Sequence, residues 1–344
     1  MKKQFGIVSG SFLILAALIG CSSNDDNPKS DGSTDSGNNG VTSHVVPTDP
    51  DSGKNNNSMP DNINPDDTGN SGDTGSGGTG SGDGSGDSGD NSGNTGSGDA
   101  GSSSEWNLVF EDNFGSSSDN TSSEPSSEYW SLAPKGDDTW NRHMSESYEQ
   151  AFQQNGYLYL YGELKDGEYL TGGIESRNKY DFTYGQVKCR ARFLRQPQGN
   201  HTGIWMMPQS QPQAWPRYGE IDIMEHLDDQ DVIYSTVHYW DEEADKDGSS
   251  DKEYTVDNNE FNVYGVVWSK ESVAFTVNGD VIFTYKNDDP ENGDFSYQYP
   301  FVNPFYLILS QSLGGKGTWE GVIDNEELPA IFQIDWIKVW QKSE

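Results

Sequence analysis

An all-β domain, a sandwich of two antiparallel sheets, is predicted for residues 105–344 of this 344-residue chain by three observations. Runs such as 157–161 (YLYLY), 187–193 (VKCRARF), 232–239 (VIYSTVHY), 273–277 (VAFTV) and 305–309 (FYLIL) are short, β-branched or aromatic, and often alternate. Few stretches carry the helical period. Asn278-Gly279, between 273–277 and 281–285, has the composition of a tight hairpin turn. Some 240 residues are ample for a single hydrophobic core.

The segments before this domain read differently. Lys2 and Lys3 precede an apolar stretch that runs through Ile19, too short to cross a bilayer, so residues 1–20 read as a signal peptide. It ends in Leu18-Ile19-Gly20-Cys21, which resembles a bacterial lipobox, in which the cysteine is lipidated and becomes the mature N-terminus. The alternative is an ordinary secretory peptide with a chance cysteine. A lipid on Cys21 implies export across the inner membrane and anchoring at the outer membrane or cell surface. Asn24, Asp25 and Asp26 fit either a surface-export patch or the start of an acidic linker.

Residues 21–104 then form a Gly/Ser/Asp-rich linker with no aromatic residue, which cannot bury a core and is expected to be disordered. A coil of about 80 such residues spans an r.m.s. distance on the order of 50 Å, enough to hold a domain clear of lipid. The formal net charge is −35, and the linker, with about 14 acidic and 2 basic residues, leaves roughly −25 on the domain. Nucleic acid and anionic membrane surfaces are therefore poor partners. With Cys21 taken by lipid, Cys189 is left unpaired in a strand pattern, as a small buried apolar residue.

The most informative stretch is 215–226 (WPRYGEIDIMEH), which places Glu220, Asp222 and Glu225 in one apolar strand-like run. Alternate residues share a face, so Glu220 and Asp222 point together while Glu225, five positions after Glu220, points away. A β-bulge at Ile223 and Met224 slips the register by one and brings all three to one face. Aligned like charges repel and do nothing for folding, whereas a pair of Glu residues flanking a sugar linkage is what glycosidic cleavage requires. The bland alternative is a solvated strand edge, against which stand the apolar Ile221, Ile223 and Met224.

This run, preceded by Trp-Pro-x-x-Gly, resembles the signature of family 16 glycoside hydrolases in the bulged ExDxxE form of laminarinases, agarases and related endo-acting enzymes. Stretches 106–114 (WNLVFEDNF), 184–193 (YGQVKCRARF), 203–208 (GIWMMP), 264–285, 304–315 (PFYLILSQSLGG) and 333–341 (QIDWIKVWQ) match the family in the expected order, covering about 105–344. The resemblance implies a jelly roll with a concave, cleft-bearing face. It also implies a retaining mechanism with Glu220 as nucleophile, Glu225 as general acid/base and Asp222 between them. Such a mechanism needs carboxyls about 5 to 5.5 Å apart, so the strand must curve. The charge of Asp222 should raise the pKa of a neighbouring carboxyl, as an acid working near neutrality requires.

Substrate contacts follow from the same resemblance. Trp215 matches the subsite tryptophan, with a core role as the alternative. Trp205 fits either binding or core. Arg177 and Asn141 match cleft-lining places, the latter in a loosely matching stretch. His238, on the strand expected to pair with 220–226, could touch the acid/base or the substrate, or be structural. The histidines show no zinc spacing, and no cofactor is required. Many relatives hold a structural calcium through a first-strand acid and a last-strand Asp. Asp335 matches the second, whereas Asn113 stands where the first-strand acid belongs.

Two rivals come from other classes: a non-catalytic surface glycan-binding protein, which would usually have lost the three carboxylates, and a structural adhesin, which does not explain them. Among substrates, neutral β-1,3-glucan or mixed-linkage β-glucan comes first and β-galactoside chains, from galactan or mucin-type glycans, second. The acidic domain argues against sulfated polymers, although Arg177, Arg195 and Arg217 offer local positive charge. Residues 241–253 read as an unassigned loop at the cleft rim, and a monomer is expected.

Overall fold

The computed structural model describes residues 106–115, 121–291 and 295–343. The signal peptide, Cys21 and the linker lie outside the described residues. Sixteen strands and no helix occur among those described. The first eight are β1 (Trp106–Asp112), β2 (Ser131–Leu132), β3 (Ala151–Gln154), β4 (Tyr157–Lys165), β5 (Glu168–Thr171), β6 (Gly173–Glu175), β7 (Gly185–Arg195) and β8 (Asn200–Pro208). The others are β9 (Glu220–Leu227), β10 (Val232–Asp241), β11 (Lys246–Thr255), β12 (Asn262–Trp268), β13 (Ser272–Val277), β14 (Asp280–Lys286), β15 (Phe305–Leu313) and β16 (Ala330–Lys342).

They form two antiparallel sheets, as the alternating patterns predict. One has nine strands along the path β14-β13-β12-β7-β16-β4-β3, with β1 beside β16 and β5 beside β4; the other is ordered β11-β10-β9-β8-β15-β6-β2. The period of two dictates the layering. In β7, Val187, Cys189, Ala191 and Phe193 turn into the core between the sheets, while Lys188, Arg190 and Arg192 take the opposite face. From the seven-stranded sheet, Ile204 and Met206 of β8, Ile221 of β9 and Leu307 and Leu309 of β15 join the same core. Burying each of these aliphatic side chains is worth roughly 1.5–3 kcal/mol. Asn278 and Gly279 take φ values of 52° and 99°, the left-handed conformations that a two-residue hairpin between β13 and β14 needs.

The other face of the seven-stranded sheet carries a smaller cluster, in which Trp205, Tyr306 and Ile308 pack with Trp140 and Met207. The expected loop at 241–253 is corrected here. β10 extends to Asp241 and β11 begins at Lys246, the two pairing along their length from Val232–Thr255 to Asp241–Lys246. Backbone pairing at the sheet edge needs no apolar stripe, so the polar run KDGSSDKEYT conceals a strand.

Asp335, on β16, does not fit the implied calcium. Its Oδ2 accepts a hydrogen bond from Arg190 Nη1, so a cation already lies against it. The nearby acid of the first strand, Glu111, pairs with Lys338 at 2.8 Å.

Candidate active site on one strand face

The bulge in β9 is where the sequence places it. Across to β8, Ile204 faces Met224 and Trp205 faces Asp222, leaving Ile223 as the extra residue. Across to β10, Tyr234 faces Glu225, Thr236 faces Asp222 and His238 faces Glu220. All three carboxylates therefore turn away from the core, while Ile221, Ile223 and Met224 are buried within it. The backbone carbonyl of Ile223, freed by the irregularity, accepts a 2.8 Å hydrogen bond from Ser235 Oγ.

The turn before β9 folds Trp215 back over the strand. Arg217 N donates to Ala214 O and Gly219 N to Pro216 O. Gly219, at φ 83°, lies so close to Pro300 and Phe301 that a Cβ would approach them at 2.8 and 2.9 Å. Trp215 is 39% exposed, which removes the core reading. Its Nε1–H donates to Glu220 Oε2 at 2.5 Å and its ring lies 5.3 Å from that of His238. His238 Nε2 in turn stands 3.3 Å from Asp222 Oδ2, off the line of a good hydrogen bond.

Of the other expected residues, Trp205 lies beside Asp222, with its Nε1–H on Ser310 Oγ at 3.1 Å and Trp140 edge-on at 4.8 Å. It belongs to the site face and is buried there by its neighbour. Arg177 lies 5.6 Å over the ring of Tyr306, in the same cluster. Asn141 is buried under Gly136, whose Cβ would collide with its amide at 2.5 Å. The residue of that stretch that reaches the site face is its neighbour Trp140.

Sequence reasoning passed over the groups around Glu225. His201 Nε2 is 3.2 Å from Glu225 Oε1, and Thr236 Oγ1 donates to Glu225 Oε2 at 3.3 Å. Trp319, 55% exposed, lies 5.3 Å from His201 and 5.8 Å from Tyr234. Two exposed tryptophans thus flank the carboxylates along β9, Trp215 by Glu220 and Trp319 by the neighbours of Glu225. A signal for His201 existed in its place four residues before Trp205, which faces β9; Trp319 was marked only by the glycines around it.

The electrostatics divide the three acids. Burial, then the charge of Asp222, pushes Glu220 up to about 8, against His238 and the Trp215 N–H. Burial and the charge of Glu225 push Asp222 well above its ordinary value, against a hydrogen bond from Glu220. Burial also pushes Glu225 upward, but the hydrogen bond and charge of His201, the charge of His238 and the hydroxyl of Thr236 outweigh it, and Glu225 ends below its ordinary value. The expected rise therefore falls on Glu220 rather than on Glu225, because burial and the charge of Asp222 act on Glu220, while an imidazole offsets burial at Glu225. The face thus holds a proton between Glu220 and Asp222 beside an ionised Glu225. Among the described residues, Glu220, Asp222 and His238 also bring ligand atoms within 4.8 Å of one another, a spacing open to a metal.

A family model described as glycosyl hydrolases family 16 matches residues 138–338. A keratan-sulfate endo-1,4-β-galactosidase of Sphingobacterium multivorum is 35% identical over 245 residues, which are 69% of this chain and 56% of that protein. The chain thus spans little more than half of that relative's length. A β-glucanase of Rhodothermus marinus is 30% identical over 254 residues, 69% of this chain and 85% of that one. Among solved structures, one reported for endo-acting O-glycanases that initiate mucin breakdown, from prominent members of the human gut microbiota, aligns with a TM-score of 0.61 and 31% identity. That alignment covers 69% of this chain and 100% of the other.

The raised Glu220 has a consequence for stability. Because the folded domain holds this proton where the unfolded chain releases it, the group's contribution is complete below about 4.5 and is lost as pH rises through about 8. Glu220→Gln, which cannot ionise, should therefore gain more in melting temperature over the parent at pH 9 than at pH 4. A gain that does not change with pH contradicts this assignment.

Proposed function

The chain belongs to glycosyl hydrolase family 16, and we propose that it is a retaining, endo-acting hydrolase of β-linked glycan chains with Glu220 and Glu225 as its reacting pair. The observation that carries this reading is the bulge that sets the two Glu side chains, one with an indole donor and one with an imidazole partner, on the same face of β9. In the resting site Glu220 donates to Asp222; for attack that proton passes to Asp222 and leaves Glu220 as the carboxylate that meets the anomeric carbon, with the Trp215 N–H fixing its direction. Glu225 protonates the departing glycosidic oxygen. Water, deprotonated by Glu225, then releases the glycosyl group from Glu220.

Two substrate readings have support. Aromatic platforms and the acidic domain favour a neutral chain of either sugar. They do not tell glucose from galactose, which differ only in the orientation of one hydroxyl. A preference between them draws support from 35% identity to an endo-β-galactosidase and 31% to O-glycanases, against 30% to a β-glucanase. Unsulfated β-galactoside chains therefore come first and neutral β-1,3- or mixed-linkage glucans second. A polysaccharide panel decides, and a faster rate on laminarin-type glucan than on every galactoside reverses the order.

Glu220→Ala and Glu225→Ala should each lose at least about 10³-fold in kcat/KM on the best polymer. Azide should restore turnover on an activated aryl glycoside, giving an inverted product from the first and a retained one from the second. Activity within tenfold of the parent in either variant overturns the assignment.

The location belongs to the same proposal, with the domain tethered to a membrane by lipid on Cys21. Full-length protein should enter the detergent phase on partition, and Cys21→Ala should abolish that. Equal partitioning of the two forms refutes the anchor.

A further inference from the structure

Behind Glu225 lies a group that the two-carboxylate reading leaves unused. His201 turns Nε2 to Glu225 Oε1 at 3.2 Å and Nδ1 to Glu320 Oε1 at 3.8 Å, so one imidazole bridges two acids. His201 is 8% exposed and Glu320 only 4%. Neither His201 Nδ1 nor Glu320 Oε2 has a hydrogen-bond partner among the described residues. The enclosure is tight, since a Cβ at Gly314 would meet Glu320 Cβ at 2.5 Å, and the ring of Trp319 packs against the imidazole. A carboxylate buried with so little solvation is costly unless a cation faces it. The group that faces this one is the imidazole.

We propose that His201, backed by Glu320, is the positioning residue that stores the proton Glu225 delivers. The proposal rests on the reading of Glu225 as acid/base. In the first step the imidazolium releases its Nε2 proton to Glu225, keeping the lone pair on nitrogen. Glu225 passes a proton to the glycosidic oxygen as the C–O bond breaks and Glu220 bonds to the anomeric carbon. In the second step the attacking water gives its proton to Glu225, which returns one to Nε2, so the cycle adds water and consumes no proton. Throughout, the Nδ1 proton faces Glu320, which favours the imidazolium as an aspartate does behind a catalytic histidine.

The surroundings agree. Burial alone pushes His201 down, but the hydrogen bond and charge of Glu225 and the charge of Glu320 raise it above its ordinary value. On the core side of β9, opposite Thr202 and stacked on Phe193, lies His226, which burial pushes down to about 4, so it stays neutral. β15 sets the uncharged Ser312 opposite His201. Asp222 and His238 act on Glu225 from the other side.

Two measurements on the full-length protein test this. In a ¹⁵N NMR titration without substrate, the His201 imidazole, identified by its loss in His201→Gln, should titrate above the ordinary value of about 6.5 and fall by about one unit or more in Glu320→Gln. A midpoint at or below the ordinary value, or one unmoved by Glu320→Gln, overturns the proposal. On the polymer cut fastest in the panel, the alkaline arm of kcat/KM should move down by about one pH unit or more in both variants, because the last proton of the pair then has only a carboxyl, or a weakened imidazolium, to hold it. A purely structural His201 gives the opposite sign, since removing its positive charge raises Glu225; an arm that rises or stays in place overturns the relay. Should azide fail to rescue Glu225→Ala while His201 still titrates high, the acid/base reading falls and the relay with it. Rescue with an unmoved arm sinks the relay alone.

Discussion

Three carboxylates on one face of one strand repel each other, and the structure around β9 is arranged to offset that repulsion. At a few ångströms in a partly desolvated site, like charges cost several kcal/mol, so the face persists only with protons or donors shared among the acids. Each device at the site answers this need. The bulge at Ile223 creates the alignment, and Ser235 satisfies the carbonyl that the bulge frees. Trp215 donates to Glu220, His201 and Thr236 hold Glu225, and His238 stands beside Asp222. None of these contacts is needed to close the core, which the inward faces of β7, β8, β9 and β15 supply.

That division explains what could be read before the structure was seen. The sandwich, the β13–β14 hairpin and the buried Cys189 follow from a period of two, which is a local property of the chain. So does the bulge, because three acids spaced two and then three apart cannot otherwise share a face. What came from across strands was hidden. His201 is 24 residues from Glu225, and only the register of β8 against β9 brings them together. Glu320 arrives from a glycine-rich loop with no periodicity. Asn141 was singled out where Trp140 reaches the site face, since a one-residue error in a loop cannot be corrected by pattern. β11 was missed because an exposed edge strand has no apolar stripe.

The same limit governs specificity. Net charge and indole platforms are legible in sequence, and both speak for neutral sugar rings. Discriminating an axial from an equatorial hydroxyl depends on one or two polar atoms at fixed positions, which neither composition nor strand pairing reveals. Trp215 and Trp319 flank the carboxylates along β9 and would bind either hexose by its flat face.

The central claim is that Glu220 and Glu225 act as nucleophile and acid/base on one face. It is tested most directly by the configuration of the first product. A ¹H NMR time course of fresh polymer digested by the unmodified enzyme, followed before mutarotation, should show the β-anomer of the new reducing end appearing first. An α-anomer appearing first would contradict double displacement and remove Glu220 as nucleophile.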